Sequence, residues 1–204
     1  MSRFTNKRQL DRQESNMFRK LAFAFAALAA MATSADAINL GATRALKPKA
    51  SQTLAAPVAY QIFCLRFKGE CRSGGVSSVS YSSKTAALLR RVNDQVNRSI
   101  SYRSDKGEVW KIGVSAGDCE DYALTKRKRL IGAGVPAGAL RMATARTPKG
   151  EMHAVLIVKT DKGDFVLDNI RTNIVTRGQS GYRFLTIATS NPTVWQNAKS
   201  GREI

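Results

Sequence analysis

Three residues of this chain have the types and the order that thiol-based acyl chemistry requires. Cys119 lies in the segment GDCEDY at 117–122, and His153 is the single histidine. Asp168 follows fifteen residues after His153. A thiol nucleophile, an imidazole that removes its proton and a carboxylate that orients the imidazole form the set used in nucleophilic acyl transfer. The sequence therefore predicts Cys119 as nucleophile, His153 as general base and acid, and Asp168 as the orienting carboxylate.

The local sequence places Cys119 at the start of a helix. Gly117 precedes a predicted helix over 118–131, acidic residues fill its first turn, and the basic run 126–129 fills its last. This order of charges complements the helix dipole at both ends. Backbone N–H groups at a helix start favour a thiolate, and Cys119 is therefore well placed to ionise. We expect the run 126–129 to form a solvated face.

His153 and Asp168 lie on either side of a predicted hairpin. The apolar run 152–160 and the segment 163–168 have strand character, and Asp161-Lys162-Gly163 between them is typical of a tight turn. In an antiparallel hairpin, a residue near the start of the first strand lies close to one near the end of the second. The spacing predicts that the two side chains are cross-strand neighbours.

The remaining elements place helices before an antiparallel sheet. Apolar residues recur at helical spacing over 84–100, and Ser82 or Ser83 can cap this helix. Further strands are expected at 140–146 and 182–188, while 60–67 is interpreted as a short strand or a turn. This order predicts the α+β class.

The N-terminal region predicts export. A basic stretch ends at Lys20, an apolar run follows over 21–31, and Ala35-Asp36-Ala37 matches a signal-peptidase site. We expect a signal peptide at 1–37, with Met17 as an alternative start, a linker at 38–58 and a domain at 59–204. The apolar run is shorter than the roughly 20 residues that span a bilayer. The expected location is periplasmic or secreted.

The composition is that of a globular protein with a strongly basic surface. The chain has 204 residues, 43% of them apolar, and a formal net charge of +18. Removing residues 1–37 takes away six Lys or Arg and three acidic residues, so the exported part stays basic. For an exported protein we expect no nucleic-acid partner, and the charge favours contact with an anionic envelope polymer or a membrane surface.

The chain has three cysteines, so one thiol is left over when two of them pair. Cys64 and Cys71 enclose a short loop that bends back easily, and a bridge there would contribute roughly 2–3 kcal/mol to stability. Two free thiols are the alternative. An odd cysteine in an exported chain needs a reason, and catalysis by Cys119 would supply one.

The motifs together resemble a known family. The segments GDCEDYA at 117–123, HAVL at 153–156 and LDN at 167–169 are similar to those of the bacterial transglutaminase-like cysteine peptidases, over about residues 60–197. The resemblance implies a papain-like, transglutaminase-like core with Cys119, His153 and Asp168 as its triad. It also implies a periplasmic protease of the type that cleaves large surface adhesins, with a protein substrate at the cell surface.

Three acidic residues surround the candidate nucleophile. Asp118, Glu120 and Asp121 place like charge near Cys119, which opposes formation of a thiolate. Clustered carboxylates suit Ca²⁺, and the resemblance implies calcium dependence through these three residues. The alternative is that they are ordinary acidic residues of a helix start, which the dipole favours without any metal.

Two other functions use the same residues. The thioester that Cys119 would form can pass to an amine instead of water, which gives transglutaminase or amidase activity. A non-catalytic binding module could use the basic surface on the same scaffold, although the intact set of Cys119, His153 and Asp168 argues against it. We expect Tyr122 to serve packing rather than catalysis.

Overall fold

A computed structural model of the protein describes residues 53–198. Within that range the chain forms three α-helices, namely α1 (Val58–Arg66), α2 (Ser83–Ser99) and α3 (Cys119–Gly132). Nine strands accompany them: β1 (Thr53–Ala55), β2 (Ser101–Tyr102), β3 (Ala116–Gly117), β4 (Leu140–Arg146), β5 (Met152–Thr160), β6 (Gly163–Leu167), β7 (Val175–Thr176), β8 (Arg183–Ala188) and β9 (Val194–Asn197).

Seven of these strands form one antiparallel sheet. Its order is β1-β9-β8-β4-β5-β6-β7, so that the β4–β5–β6 meander lies at its centre. The strands β2 and β3 form a separate parallel pair directly before α3. Helices packed on an antiparallel sheet confirm the predicted α+β class. The predicted strands 140–146 and 152–160 have the bounds that the structure shows.

The central strand β5 is buried on both faces. Leu156 and Val158 belong to the core shared with the helices, whereas Val155 and Ile157 belong to a smaller cluster on the opposite face of the sheet. An apolar run without alternation is typical of a strand covered on both sides. His153 extends from this rigid strand, so the core of the protein fixes its backbone.

The helix α2 has the amphipathic pattern that the sequence predicted. Leu89, Val92 and Val96 are buried against the main core. The side chain of Ser82 accepts a hydrogen bond from the backbone N–H of Thr85, and Ser82 is therefore the N-cap. This helix supplies one wall against which α3 packs.

The helix α3 is buried on most sides, and the expected solvated face at 126–129 is wrong for its first half. Lys126 and Arg127 are 0% and 2% exposed. The guanidinium of Arg127 donates to the backbone carbonyls of Leu140 and Glu70, which explains how it tolerates burial. The order of charges along a helix reflects the helix dipole. It does not reveal which of the charged residues the neighbouring elements will bury.

Two segments differ from the sequence-based expectations. Residues 60–67 lie mainly in the helix α1 rather than in a strand or turn, and Tyr60 and Phe63 anchor that helix in the core. Thr53–Ala55 falls within the predicted linker but pairs with β9 at the edge of the sheet. The domain therefore begins earlier than 59. Cys64 and Cys71 form the predicted disulfide, which ties α1 to the turn that follows it.

The predicted signal peptide at 1–37 and most of the predicted linker lie outside the described residues. Across residues 53–198, none of the helices has the length and apolar character needed to cross a bilayer.

Candidate active site

Cys119 and His153 line the same cleft. This cleft has a volume of about 530 Å³ and opens where the start of α3 meets the start of β5. The backbone N–H of Ala154, the residue after His153, donates to the Cys119 sulfur at 3.3 Å. The fold thus brings the predicted nucleophile to the strand that carries the predicted base.

His153 and Asp168 form a buried hydrogen-bonded pair. The distance from His153 Nε2 to Asp168 Oδ1 is 2.8 Å, and the two side chains are 4% and 2% exposed. The register pairs Leu156 with Leu167, so Asp168, which follows β6 directly, lies diagonally across from His153. Because Asp168 engages Nε2, the other ring nitrogen, Nδ1, is left for proton exchange with a thiol.

Three further groups hold Asp168 in place. Its Oδ1 also accepts the backbone N–H of Ile170 at 3.1 Å, and its Oδ2 accepts the hydroxyl of Tyr182 at 2.5 Å. Asn97 on α2 donates to its backbone carbonyl at 2.9 Å. Burial alone would raise the pKa of Asp168, but the hydrogen bonds from His153 and Tyr182 lower it overall. Asp168 is therefore a fixed anion.

Tyr182 is a functional candidate that the sequence did not reveal. Its ring meets the His153 ring edge-on at 5.4 Å between centroids, while its hydroxyl bonds to Asp168. The guanidinium of Arg171 lies over the Tyr182 ring, 5.3 Å from its centroid. Burial and the Asp168 anion both raise the pKa of Tyr182, which keeps it a hydrogen-bond donor. A tyrosine just before a strand carries no motif that predicts this role.

The surroundings of the Cys119 thiol oppose its ionisation. Burial, followed by the charge of Glu120, raises the pKa of Cys119 to about 12. The thiol donates to Glu120 Oε2 at 3.3 Å, and the Ala154 N–H acts in the opposite direction by favouring the thiolate. The expected help from the helix start is therefore outweighed by burial and by the neighbouring acid.

Two of the acidic residues beside Cys119, Glu120 and Asp121, have raised pKa values. Burial raises the pKa of Glu120 to about 8, and a hydrogen bond with Asp118 and the Asp118 charge add to this effect. Burial also raises the pKa of Asp121 to about 6, with a smaller contribution from Asp118. One oxygen of Asp118 (Oδ1) and one of Asp121 (Oδ2) are buried without a hydrogen-bond partner. Such unpaired carboxylate oxygens normally require a cation or a donor.

Asp121 and Asp118 each accept a hydrogen bond from the backbone of a preceding loop residue. Asp121 Oδ1 accepts the backbone N–H of Lys111 at 2.7 Å, which holds the loop before β3. A Cβ on Gly117 would come within 2.1 Å of Asp121 Oδ2, so glycine is required at this position. Asp118 Oδ2 accepts the backbone N–H of Asp105 at 3.3 Å.

No cluster of three or more His, Cys, Asp or Glu side chains between residues 53 and 198 is arranged to hold a metal ion. A cation bound beside Cys119 would therefore complete its coordination shell with backbone or water oxygens, which are common ligands of Ca²⁺.

Lys126 is a buried residue that the sequence assigned to a solvated face. Its ammonium has no hydrogen-bond partner and lies 5.9 Å from the centroid of the Tyr122 ring. Burial lowers the pKa of Lys126 to about 7, and the charges of Asp168 and Asp94 oppose this change. Tyr122 itself packs as predicted, and its hydroxyl donates to the backbone carbonyl of Ile100.

Comparison with known proteins places the chain in a family. The chain is similar to three solved structures of LapG from Legionella pneumophila. The calcium-bound form has a TM-score of 0.51 and 24% identity, over 56% of this chain and 70% of that chain. A second LapG structure has a TM-score of 0.50 and 25% identity, over 57% and 71%. The EGTA-treated form has a TM-score of 0.51 and 23% identity, over 58% and 70%.

No curated protein sequence matches the chain. A family model described as bacterial transglutaminase-like cysteine proteinase (BTLCP) matches residues 50–203, which is most of its length. The chain therefore belongs to the bacterial transglutaminase-like cysteine proteinases and is a cysteine peptidase.

Proposed function

We propose that the protein is an exported peptidase that cleaves a protein substrate through Cys119, His153 and Asp168. The single observation that carries this proposal is the buried His153–Asp168 pair at 2.8 Å on the wall of the cleft that also holds the only free cysteine of residues 53–198. Asp168 orients the imidazole, which lines the same cleft as the thiol, and nucleophilic acyl chemistry needs these three groups.

The proton moves between three groups in this mechanism. His153 Nδ1 takes the proton of the Cys119 thiol as the sulfur attacks the substrate carbonyl carbon. His153 then gives that proton to the leaving amine as the peptide C–N bond breaks, which leaves a thioester on Cys119. Water, deprotonated by His153, hydrolyses the thioester and restores the thiol. Asp168 stabilises the imidazolium in both steps without taking the proton.

The backbone N–H of Cys119 is the donor best placed to stabilise the oxyanion. As the first residue of α3, Cys119 has no acceptor for this N–H within the helix. A backbone N–H aimed at the developing negative charge is the usual element of an oxyanion hole.

Calcium binding beside the nucleophile is the second part of the proposal. The buried, partnerless Asp118 Oδ1 and the mutual contact of Asp118 and Glu120 support a cation there, and Asp121 adds charge one turn into the helix. One of the similar LapG structures is calcium-bound and another was treated with EGTA. A bound Ca²⁺ would neutralise the acidic residues and stiffen the start of α3.

Export to the periplasm or beyond is supported by two features. The predicted signal peptide at 1–37 precedes the domain, and the disulfide between Cys64 and Cys71 suits an oxidising compartment. A cell-surface protein is the substrate class that this location makes available.

Thiol labelling tests the proposal directly. Iodoacetamide should modify Cys119 in the native oxidised protein and leave Cys64 and Cys71 unmodified, as mapped by mass spectrometry. The Cys119→Ala variant should lose all peptidase activity yet keep the melting temperature of the parent chain.

Comparison of envelope and secreted proteins then identifies the substrate. New protein N-termini should be present in cells with the parent chain and missing from cells that carry only Cys119→Ala. Retention of cleavage by Cys119→Ala would refute Cys119 as nucleophile.

A further inference from the structure

The helix α1 has apolar side chains on two opposite sides. Tyr60 and Phe63 are buried in the core and hold the inner side against the rest of the domain. Val58, Ile62 and Leu65 are 72%, 52% and 73% exposed. Their helical spacing puts them on one side of α1, and we call these three side chains the outer face of α1. Apolar side chains grouped in this way mark a contact surface, whereas exposed apolar residues scattered singly do not.

The outer face of α1 continues into a pocket without charged groups. Leu65 also lines this pocket, which has a volume of about 330 Å³. The other lining residues are Ala55, Ala56, Tyr60, Gln61, Cys64 and Thr193, none of which is acidic or basic. The uncharged surface is therefore larger than the three exposed side chains alone.

The pocket lies at the opposite end of the sheet from the catalytic cleft. Tyr182 directly precedes β8 and donates a hydrogen bond to Asp168. The strand β8 then runs to Ala188, which pairs with Trp195 on β9, and Thr193 of the pocket lies just before β9. A strand of the length of β8 spans about 20 Å. A contact through the outer face of α1 therefore leaves the cleft accessible.

Exposed basic side chains flank the outer face of α1. Arg66 is the last residue of the helix, and Lys68 and Arg72 lie in the turn that follows it. The disulfide holds the Cα atoms of Cys64 and Cys71 5.5 Å apart, which keeps Arg72 close to the last turn of α1. Within the described part of the chain, none of the three basic side chains forms an ion pair with an acidic residue.

Nearby acidic residues do not cancel this positive charge. Glu70 is the one acidic residue between positions 53 and 72, and it pairs with Lys128 at 3.1 Å. The sequence before β1, over 38–52, adds three basic residues and no acidic one. An apolar face flanked by cations complements a surface that is anionic outside and apolar inside. A bilayer that contains anionic phospholipids has this chemistry.

The residue types on α1 favour a bilayer over a protein partner. The centres of protein–protein interfaces are enriched in Trp, Tyr, Met and Arg, whereas Leu and Val rarely dominate binding there. The outer face of α1 has only aliphatic side chains, which are compatible with the acyl chains of lipids. The charged groups of Lys and Arg are on long flexible stems, which can reach lipid phosphates while the stems stay in contact with apolar groups.

We infer that the outer face of α1, together with Arg66, Lys68 and Arg72, docks the protein on an anionic phospholipid membrane. The three aliphatic side chains enter the boundary between headgroups and acyl chains, and the basic side chains pair with lipid phosphates. The cleft is then left open to the aqueous side. This inference adds a site of attachment to the proposed function and does not depend on peptidase activity.

Sedimentation with lipid vesicles measures this binding. The protein is purified after export, and its N-terminus is determined by mass spectrometry so that only chains without the apolar run at 21–31 are used. The partition coefficient should be at least about tenfold higher for vesicles of equal parts phosphatidylcholine and phosphatidylglycerol than for phosphatidylcholine alone. Added NaCl should lower it, because salt screens charges at a surface. Cys119→Ala should bind as the parent chain does.

A double variant tests the apolar part of the surface. Ile62→Ser combined with Leu65→Ser should lower the partition coefficient by about tenfold or more, because two large aliphatic groups no longer enter the lipid. Val109→Ser combined with Ile170→Ser is the matched control, since both residues are exposed but lie outside α1. The control should change the partition coefficient by less than about twofold.

A triple variant tests the basic part. Arg66→Gln, Lys68→Gln and Arg72→Gln together should lower the partition coefficient at least about tenfold. The matched control is the triple variant Arg146→Gln, Lys149→Gln and Arg183→Gln, which removes the same charge from exposed positions in β4, the turn after it and β8. This control should lower binding by less than about threefold, because charges far from the lipid are screened. Melting temperatures verify that every variant is folded.

The outcomes separate this inference from the proposed function. Equal partitioning onto the two kinds of vesicle, or equal losses in the α1 variants and their controls, overturns the inference. A dimer in sedimentation velocity that the double α1 variant dissociates, in a protein that does not bind vesicles, also overturns it, because a second copy would then cover this face. Vesicle binding that depends on the outer face, in a protein that cleaves no substrate, supports the inference and contradicts only the proposed peptidase.

Discussion

The two sides of the cleft differ in how completely their carboxylates are satisfied. On the side of the sheet, His153 and Asp168 bond to each other, and Tyr182 and the Ile170 N–H occupy the remaining acceptor sites of the carboxylate. On the side of the helix, Asp118 Oδ1 and Asp121 Oδ2 are buried without partners. Groups of the protein satisfy both oxygens of the carboxylate on the sheet side, whereas they leave one oxygen of each of these two carboxylates on the helix side without a partner.

The difference extends to the two ends of the proposed triad. Asp168, the proposed orienting carboxylate, has a lowered pKa and is an anion. Cys119, the proposed nucleophile, has its pKa raised to about 12 by burial and by Glu120. A group that supplies positive charge on the helix side would remove the imbalance, which is why we expect that side to respond to calcium and the sheet side to respond only to mutation.

Substitution of His153 or Asp168, on the sheet side of the cleft, should cause the largest loss of activity. His153→Ala removes the base, and Asp168→Asn removes the charge that orients the imidazole, so each should lower kcat by roughly 10³-fold or more. Steady-state cleavage of a protein substrate measures this loss. Iodoacetamide labelling of Cys119 should remain possible at high pH in both variants, and a variant with normal kcat would contradict the triad.

Removal of Ca²⁺ should cause the next largest loss of activity, and this loss should depend on the acidic residues of the helix side. EGTA should inhibit cleavage at least tenfold, and Ca²⁺ should restore it better than Mg²⁺, which requires a tighter octahedral shell. A ligand at about 100 times its Kd stabilises the native state by about 2.7 kcal/mol. For a domain of this size, that free energy corresponds to a rise in melting temperature of about 5–10 °C, which saturating Ca²⁺ should produce in the Cys119→Ala protein.

Asp118→Asn should abolish the thermal response to Ca²⁺, as should Glu120→Gln. Glu70→Gln is a matched control, because Glu70 pairs with Lys128 at 3.1 Å outside the cleft. If neither activity nor melting responds to EGTA, the acidic residues are ordinary charges of a helix start and the metal proposal fails.

A smaller loss of activity is expected when one hydrogen bond to Asp168 is removed and the His153–Asp168 pair is kept. Tyr182→Phe keeps the ring that contacts His153 and removes the hydroxyl that bonds to Asp168. Loss of one hydrogen bond to a charged group is expected to lower kcat about tenfold with little change in KM. Tyr81→Phe, whose ring stacks on Phe165 in another part of the sheet, is the control. An unchanged kcat in Tyr182→Phe would show that Asp168 is held without it.

Short-range patterns in the sequence were sufficient to predict the main elements. The apolar run at 152–160 and the periodicity at 84–100 follow from local geometry, and the turn at Asp161–Gly163 fixed the hairpin that brings His153 near Asp168. The edge strand β1 and its neighbour β9 were not predicted, because three- and four-residue strands carry little pattern and depend on their neighbours for pairing.

The missed site residues depend on contacts between distant segments. Tyr182 meets Asp168 only because β8 lies beside β4 in the sheet, and the sequence around it has no motif. Lys126 lies in a basic run that looks solvated, but its burial is decided by elements packed on α3. The sequence shows which residue types lie near Cys119. It does not show which hydrogen-bond partners these residues have in the folded chain.

The smallest effect on activity is expected for Lys126, which lies on the nucleophile's helix but is coupled to the charge of Asp168. Burial lowers its pKa in the folded state to about 7 from the ordinary value of 10.5. Below about pH 7 the ammonium is charged in both states, so the unfavourable burial of charge is fully present. As the pH rises toward 10.5 this contribution disappears, because the side chain is then neutral in both states.

Lys126→Met should therefore raise the free energy of unfolding by about 1–3 kcal/mol at pH 6, and the gain should shrink as the pH approaches 10. Urea denaturation at pH 6, 8 and 10 measures this dependence, and kcat should change by less than about threefold. Lys128→Met is the matched control, since Lys128 is 55% exposed and its loss should change stability by less than about 1 kcal/mol. A destabilised Lys126→Met with a large loss of kcat would show instead that the buried ammonium supports Asp168, and the sheet side would then depend on a charge supplied by the helix.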